Sequence, residues 1–233
     1  MIRPVPRSDE EAAVSDIPEP TPDAVQQQAE AIVAGGGDIR AKIARLVAET
    51  SATFQRSGEG LITLARSILA GAGDALEKGT GSLPPGGSFR QVIDGLGDGL
   101  STAATSARLA LEEARSKGQR FAAEDLNRIK RDLGNLTSLY AQTLSEALAR
   151  VRSEVSSELG DLKTHADRAK DQVVPSVQSA LDAVVADPIG VGKESVQASL
   201  TASRHAAGSL FTAIGKLLQQ AGQRLSKTDQ PDT

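Results

Sequence analysis

The fold of this chain is decided by residues 129–184, which read IKRDLGNLTSLYAQTLSEALARVRSEVSSELGDLKTHADRAKDQVVPSVQSALDAV. Apolar residues recur along this stretch at spacings of eleven and four. Eleven residues make about three α-helical turns, so residues at this spacing share one side of a nearly straight helix. This helix-interaction stripe consists of Ile129, Leu133, Tyr140, Leu144, Val151, Val155, Leu162, Val173, Val177 and Val184. The pattern predicts one long amphipathic helix over about 119–186.

A helix with so narrow a stripe cannot bury it alone, so the stripe requires another helix, another subunit or an apolar surface. Pro175 interrupts the stretch and removes one backbone donor. The stripe continues beyond it through Val177 and Val184, which favours a kink over a loop.

The composition favours a helical protein. The chain of 233 residues is 39% hydrophobic but only 2% aromatic, and it contains neither Cys nor Trp. Burial must therefore come from Ala, Leu, Val and Ile, of which Ala and Leu are strong helix formers. We expect an all-α fold, an elongated antiparallel helical bundle with flexible termini.

Proline, glycine and capping residues predict the organisation along the chain. Thr21 followed by Pro22 is a helix start, and Asp38 is suited to cap a second helix after three glycines. Ser88 is the expected cap of the helix that follows the glycine- and proline-rich stretch. The predicted segments are a disordered tail at 1–23, amphipathic helices at 24–79, a linker at 80–88, a long-helix bundle at 89–226 and a disordered tail at 227–233.

Two glycine-rich segments do not fit nucleotide binding. Residues 94–100 read DGLGDGL and lack both the phosphate-loop spacing and a preceding strand. Gly95 and Gly99 share a helix face instead, as do Gly71 and Ala75, and small residues at this spacing predict close helix contacts. Residues 190–193 resemble the end of a Walker A loop without its earlier glycine.

No residue pattern indicates catalysis. His165 and His205 are forty residues apart in helical stretches, and no cysteine is present to act as nucleophile or metal ligand. We therefore expect no catalytic, cofactor-binding or metal-binding residues, no cofactor and no enzymatic activity.

Charge and hydropathy limit the partners. The net charge is −4, and the most basic stretch, 128–131, is flanked by Asp125 and Asp132. This argues against nucleic-acid binding. No segment reaches about 20 apolar residues, so we expect no transmembrane helix. No secretion signal follows the N-terminus, which favours a cytoplasmic protein that is free or peripheral on a membrane or granule surface.

The eleven-residue pattern, the Ala-rich amphipathic helices and the absence of Cys and Trp resemble the phasins, which coat polyester storage granules. Exchangeable lipid-surface proteins and late-embryogenesis-type stress proteins are similar in the same respects. Segments 94–100, 110–114 and 118–122 also resemble an uncharacterised bacterial helical family known only as a domain of unknown function. That resemblance implies a bacterial origin and no known activity, and it assigns no functional residues.

Two functions remain open. The first is a non-enzymatic structural or interaction protein that associates with itself or with another helical protein through amphipathic helices. The alternative is a phasin-like coat on a lipid or polymer-granule surface. For this alternative, the helix predicted near the C-terminus offers a candidate surface-binding face, which consists of Leu210, Phe211, Ile214 and Leu218.

Overall fold

The computed structural model describes residues 20–81, 83–117, 121, 123–186 and 210–221, and the secondary structure within these ranges is helical. The helices are α1 (Pro22–Gly35), α2 (Ile39–Ser57), α3 (Gly60–Glu77), α4 (Pro85–Ser116), α5 (Ala123–Arg150) and α6 (Leu159–Val185). Residues 210–221 form a further helix. The prediction of an all-α bundle is confirmed.

The first two helix starts agree with the prediction. The Thr21 hydroxyl accepts a hydrogen bond from the Ala24 amide at 3.2 Å, and Asp38 Oδ1 accepts one from the Ala41 amide at 3.0 Å. The predicted tails, 1–23 and 227–233, lie outside the described residues except for 20–23, of which Pro22 and Asp23 already belong to α1.

The predicted linker at 80–88 is too long and its predicted cap is wrong. Helix α4 begins at Pro85 rather than after Ser88. A proline at the first helical position has the required φ and needs no amide hydrogen, so Pro85 starts the helix earlier. The linker also does not separate two cores, because α2 and α3 pack directly against α4 and α5.

Consecutive helices form three hairpins, α1–α2, α3–α4 and α5–α6, that stack in the same orientation. Helices two apart in the chain consequently run parallel. In the α3–α5 pair, Leu61 contacts Asp132 near one end and Asp74 contacts Arg150 near the other. In the α4–α6 pair the contacts run from Arg90 with Asp161 to Arg115 with the carbonyl of residue 183.

The stack has two layers. Helices α1, α3 and α5 form the first layer, and α2, α4 and α6 form the second. Helix α4 is the longest and packs most extensively against α2 and α6, which lie on either side of it. The apolar side chains between the layers form one continuous core.

The prediction of one continuous helix over 119–186 is wrong. Residues 151–158 form a turn, and α6 folds back along α5. Val151 and Val155 lie in this turn and are each 1% exposed. The eleven-residue pattern records which residues face the core, and it is equally compatible with a straight rod or with two helices that face a shared core. Pro175 lies inside α6, as predicted.

Candidate interaction surfaces

The helix-interaction stripe lies inside the protein. Each of its ten side chains is at most 5% exposed. The stripe is therefore buried by other helices of the same chain. In this structure its role is to fold the α5–α6 hairpin onto the stack.

The candidate surface-binding face is also buried. Leu210 and Ile214 are fully buried, Leu218 is 1% exposed and Phe211 is 3% exposed. The helix 210–221 lies on α2, where a Cβ placed on Gly215 would be 3.7 Å from the Cβ of Ala52. These side chains become available to another surface only if this helix leaves α2.

The DGLGDGL segment, residues 94–100, brings α4 close to both of its neighbours. A Cβ on Gly95 would collide with the backbone carbonyl of Arg40, and one on Gly99 would come within 2.5 Å of the Val47 side chain. On the other side of α4, a Cβ on Gly97 would be 3.3 Å from Ala169. The predicted close helix contact is confirmed here. It is confirmed on α3 as well, because a Cβ on Gly71 would collide with the backbone of α1.

The carboxylates of the same segment link the three helices of the second layer. Asp98 accepts hydrogen bonds from Nε of Arg40 on α2 at 2.7 Å and from Nε2 of Gln172 on α6 at 3.0 Å. The hydrogen bond to Asp98 raises the pKa of the Arg40 guanidinium, since the cation is stabilised. Asp98 therefore joins α2 and α6 across α4.

His165 on α6 lies between two carboxylates. Its Nδ1 donates to Asp94 on α4 at 3.1 Å, and its Nε2 is 3.9 Å from Asp161. The carboxylates contact opposite nitrogen atoms of the ring, so the three groups cannot share one metal ion. Asp94 and His165 thus act as a contact between α4 and α6.

Asp132 on α5 caps a helix that belongs to a different hairpin. Helix α3 begins at Gly60, and Glu59 before it provides no side-chain cap. Asp132 Oδ1 instead accepts the Leu61 amide at 2.7 Å, and Gly60 leaves room for it with φ +78° and no Cβ. Burial raises the pKa of Asp132, although its contacts with Leu61 and Gln55 oppose the rise. A buried acid therefore fixes α5 to the start of α3.

Tyr140 carries a buried hydroxyl group between the layers. The residue is fully buried, and its hydroxyl has no hydrogen-bond partner among the described residues. Burial raises its pKa above the ordinary value for tyrosine, with the nearby charges of Asp94 and Asp98 acting in the same direction. The phenol remains protonated and contributes to the core mainly through its ring.

A groove runs along the outer side of the last hairpin and has a volume of about 450 Å³. We call it the α5–α6 groove. Its floor includes the apolar side chains Leu144, Leu148 and Leu159. Its edges carry Ala141, Ser145, Ala149, Arg152, Lys163, Asp167 and Lys170. Three of these edge residues are basic and one is acidic, so a row of cations borders an apolar floor.

A second and wider depression, which we call the α4 trough, lies beside the helix 210–221. It has a volume of about 1030 Å³. Hydroxyl side chains of α4 line its floor, together with Leu109, which is 41% exposed. Leu217 and Ala221 form its wall on the side of the helix 210–221. Displacement of that helix would expose a longer apolar surface.

Some residues considered in the sequence lie outside the described residues, and the described residues provide neither a metal site nor a membrane-spanning helix. His205 and residues 190–193 lie outside the described residues. Among the His, Cys, Asp and Glu residues of the described ranges, no group of three is placed to hold a metal ion. None of the described helices combines the length and apolar character that a membrane-spanning segment needs.

Sequence reasoning missed the α5–α6 groove and the Asp132 cap. A local signal for the groove existed in residues 152–160, which read RSEVSSELG and combine three serines with a glycine. These residue types weaken a helix and fit a turn. No local signal existed for the cap, because Asp132 and Leu61 are 71 positions apart.

The fold and these surfaces define an all-α protein of stacked helical hairpins, which share one apolar core and are linked further by close glycine contacts and polar groups. Residues 17–226 match a family described as "Family of unknown function (DUF6781)". The chain belongs to this family, and the expected membership in a family of unknown function is confirmed. Comparison with curated proteins gave no match, and comparison with solved structures gave none.

Proposed function

We propose that this protein is a non-enzymatic helical interaction protein that associates, through its helices, with copies of itself or with another helical protein. The observation that carries the proposal is the α5–α6 groove. Among the described helices, hairpin α3–α4 has a neighbouring hairpin on both sides, whereas α5–α6 has one on only one side. The groove lies where a further helix would continue the stack.

The shape of the groove suits a helix. Helices pack by inserting a ridge of side chains into a groove between the side chains of their partner. Small residues border the α5–α6 groove at positions 141, 145 and 149, which are four apart on α5 and are all exposed. Such residues permit close approach of a second backbone, as Gly71 and Gly95 do inside the stack.

The polar groups that a catalyst would use are engaged in holding helices together. Asp94 and His165 join α4 to α6, and Asp98 joins α2 to α6. This supports the non-enzymatic part of the proposal. As part of the same proposal, we place the protein in the cytoplasm.

Sedimentation velocity over a range of concentrations tests this function on the full chain of 24.1 kDa. We expect a mass above that of the monomer that increases with concentration. The substitution Ser145→Arg places a large side chain in the groove and should lower the average mass of the associated species. Asn135→Arg is the matched control, because Asn135 is exposed on the same helix and outside the groove. A monomer at every concentration, with no helical partner bound, would contradict the proposal.

Surface coating is a second candidate function, and the placement of the helix 210–221 favours it. This helix is amphipathic, lies on the outside of α2 and borders the α4 trough. Its release would expose Phe211, Ile214 and the trough together. Amphipathic helices of this kind bind lipid interfaces through their apolar face.

An engineered disulfide separates the two functions. A Cβ placed on Gly215 would be 3.7 Å from the Cβ of Ala52, which is the separation that a disulfide needs, and the chain has no cysteine of its own. In the variant Ala52→Cys with Gly215→Cys, oxidation should hold the helix on α2. The coating function predicts that the oxidised protein no longer floats with vesicles and that reduction restores flotation. Equal flotation of both forms would exclude release of this helix as the coating mechanism.

A further inference from the structure

The basic stretch of α5, residues 128–131, lies on the surface, although the two acids that flank it in the sequence do not. Asp125 is 6% exposed and Asp132 is 7% exposed. Lys130 and Arg131 are exposed, and Arg128 is half-buried. The flanking acids make this stretch nearly neutral in the sequence, but their burial separates them from the cations on the surface.

These cations border a depression of about 860 Å³ on the exposed side of α5, which we call the basic face. It is lined by Glu124, Asn127, Arg128, Lys130, Arg131, Gly134 and Asn135. Three of these residues are cations and one is an acid. Arg128 and Arg131 donate to the backbone carbonyls of Arg56 and Asn127, and none of the three cations forms an ion pair with another described residue. Within the described part of the chain, the basic face therefore has a net positive charge without a paired counter-ion.

The segment before α1 carries the opposite charge. Residues 1–19, which lie outside the described residues, contain five acidic and two basic residues and so have a net charge of −3. The two other long segments outside the described ranges, 187–209 and 222–233, each contain two acidic and two basic residues and have no net charge. Of these three segments, only 1–19 is complementary to the basic face.

The start of α1 and the basic face lie in the same layer. Helices α1 and α5 are on either side of α3, so two interhelical distances, about 20 Å, separate their axes. Gln26 on α1 donates to Asp74 of α3 at 2.7 Å, whereas Asp132 on α5 accepts from Leu61 of α3. From these contacts, the start of α1 is displaced from the basic face by about 14 Å along α3.

The segment is long enough to reach the basic face. The two offsets combine to a distance of about 25 Å. Eleven residues separate Glu11 from Pro22, the first residue of α1, and an extended chain of that length spans about 36 Å. Arg66, an exposed cation of α3, lies between the two. The acids at positions 9–11 can therefore contact the basic face of the same chain.

We propose that residues 8–19 of this chain dock on the basic face of α5 in the same molecule. Tethering favours this occupant, because a segment attached by a short linker has an effective concentration of the order of millimolar. The net charge of −4 works against polyanions from outside the molecule. The contact should weaken as salt screens the charges, and an acidic partner must displace the segment before it can use these cations.

Carbodiimide crosslinking of the full chain tests this contact. The reagent joins a carboxylate directly to a lysine amine when the two groups touch, and Lys130 is the lysine of the basic face. We expect an amide between Lys130 and an acid at positions 9–11, identified by tandem mass spectrometry. Lys163, an exposed lysine near the turn at 151–158, should give a lower yield with the same acids. Acetylation of both lysines by an amine reagent corrects for any difference in their reactivity.

An equal mixture of unlabelled and ¹⁵N-labelled chains shows which copy supplies the acid. Docking within one molecule predicts crosslinked peptides whose two halves carry the same label. Pairs of mixed label in statistical proportion would overturn the proposal, because the segment would then come from another copy. The label pattern does not depend on whether copies associate elsewhere, so this result is separate from the test of the proposed function.

Arg131→Glu should lower the crosslinking yield at Lys130 about fivefold, because it replaces an attraction by a repulsion on the basic face. Arg168→Glu is the matched control, since Arg168 is an exposed cation on α6 outside the basic face. It should leave the yield unchanged, and far-UV circular dichroism checks the fold of both variants. Equal yields for the two variants, or a yield at Lys130 no higher than that at Lys163, would overturn the proposal.

Discussion

The middle hairpin and the last hairpin use glycine differently. On α3 and α4, a Cβ on Gly71 or Gly95 would collide with the backbone of a neighbouring helix, and one on Gly97 would press against Ala169. On α5 and α6, a Cβ on Gly134 or Gly160 would meet nothing within 4 Å. Hairpin α3–α4 is enclosed by other hairpins, and its glycines set how closely they approach. Hairpin α5–α6 has a side that no other described helix covers, and its glycines Gly134 and Gly160 have no such packing role.

The largest effect should follow from adding a side chain where the middle hairpin is enclosed. Gly95→Val forces α2 and α4 apart, because the obstacle is the backbone of Arg40 rather than a flexible side chain. We expect a loss of about 3 kcal/mol or more in the free energy of unfolding. Urea unfolding followed by circular dichroism measures it.

Gly134→Ala on α5 is the matched control for this prediction. It adds a methyl group in open space and replaces a poor helix former, so it should stabilise the protein by about 1 kcal/mol. Equal effects of the two substitutions would show that the enclosed and open hairpins do not differ as described.

Asp132→Asn should stabilise the junction between the two hairpins at neutral and higher pH. The folded state raises the pKa of Asp132. The stability that this group contributes is therefore complete below its ordinary pKa of 3.8 and falls as pH rises through the raised value. Asn can still accept the Leu61 amide without burying a charge. We expect a gain of about 2 kcal/mol at pH 8 that vanishes at low pH.

Urea unfolding of the wild type and of Asp132→Asn at several pH values measures this difference in stability. The contributions of the other titrating groups are the same in both proteins and cancel in the comparison. If Asn proves less stable than Asp at pH 8, the carboxylate charge at the start of α3 is favourable, and the buried acid is a stabilising cap rather than a cost.

Tyr140→Phe should stabilise the last hairpin slightly. The hydroxyl is buried without a described partner, and an unsatisfied buried polar group is unfavourable. Its removal leaves the ring in place, and we expect a gain of about 1 kcal/mol in the free energy of unfolding. Thermal and urea unfolding measure the change. A clear loss of stability would mean that the hydroxyl makes a favourable contact.

Arg150→Ala should have the smallest effect, although Arg150 links the two hairpins. It donates to Glu77 at 2.9 Å and to Asp74 at 2.6 Å, and its side chain is 40% exposed. Exposed ion pairs contribute little, so we expect a loss of about 0.5 kcal/mol that shrinks with added salt. Arg131→Ala on the same helix is the control, since Arg131 forms no ion pair with another described residue. Equal losses for the two variants would show that the ion pairs of Arg150 do not stabilise the contact between the hairpins.

Much of the fold could be predicted because the deciding signals are local. Thr21 and Asp38 cap helices within four residues of their own position, and the positions of the stripe residues follow from helical periodicity. The close contacts of Gly95 and Gly99 could be predicted as well, because two glycines four apart share a helix face. The sequence could not predict that α2 is the helix that packs against this face.

The candidate surfaces could not be predicted, because they arise from segments far apart in the chain or from a change of direction. The stripe and the face at 210–221 were identified as interaction sites, yet the structure buries both within the chain. An apolar periodic face shows that something must cover it and does not show whether the cover belongs to the same chain. The α5–α6 groove exists only because the chain reverses at 151–158.

The sequence by itself determined that this protein is helical, where its first two helices begin and which residues face a core, since these properties depend on neighbours within a few turns. Only the tertiary structure decided that residues 119–186 form a hairpin, that three hairpins stack in parallel, and that Asp132 caps α3. The physical reason is that the hydrophobic effect is non-directional. The hydrophobic effect rewards removal of apolar surface from water whichever helix covers it, so the choice of partner depends on the packing of the whole chain.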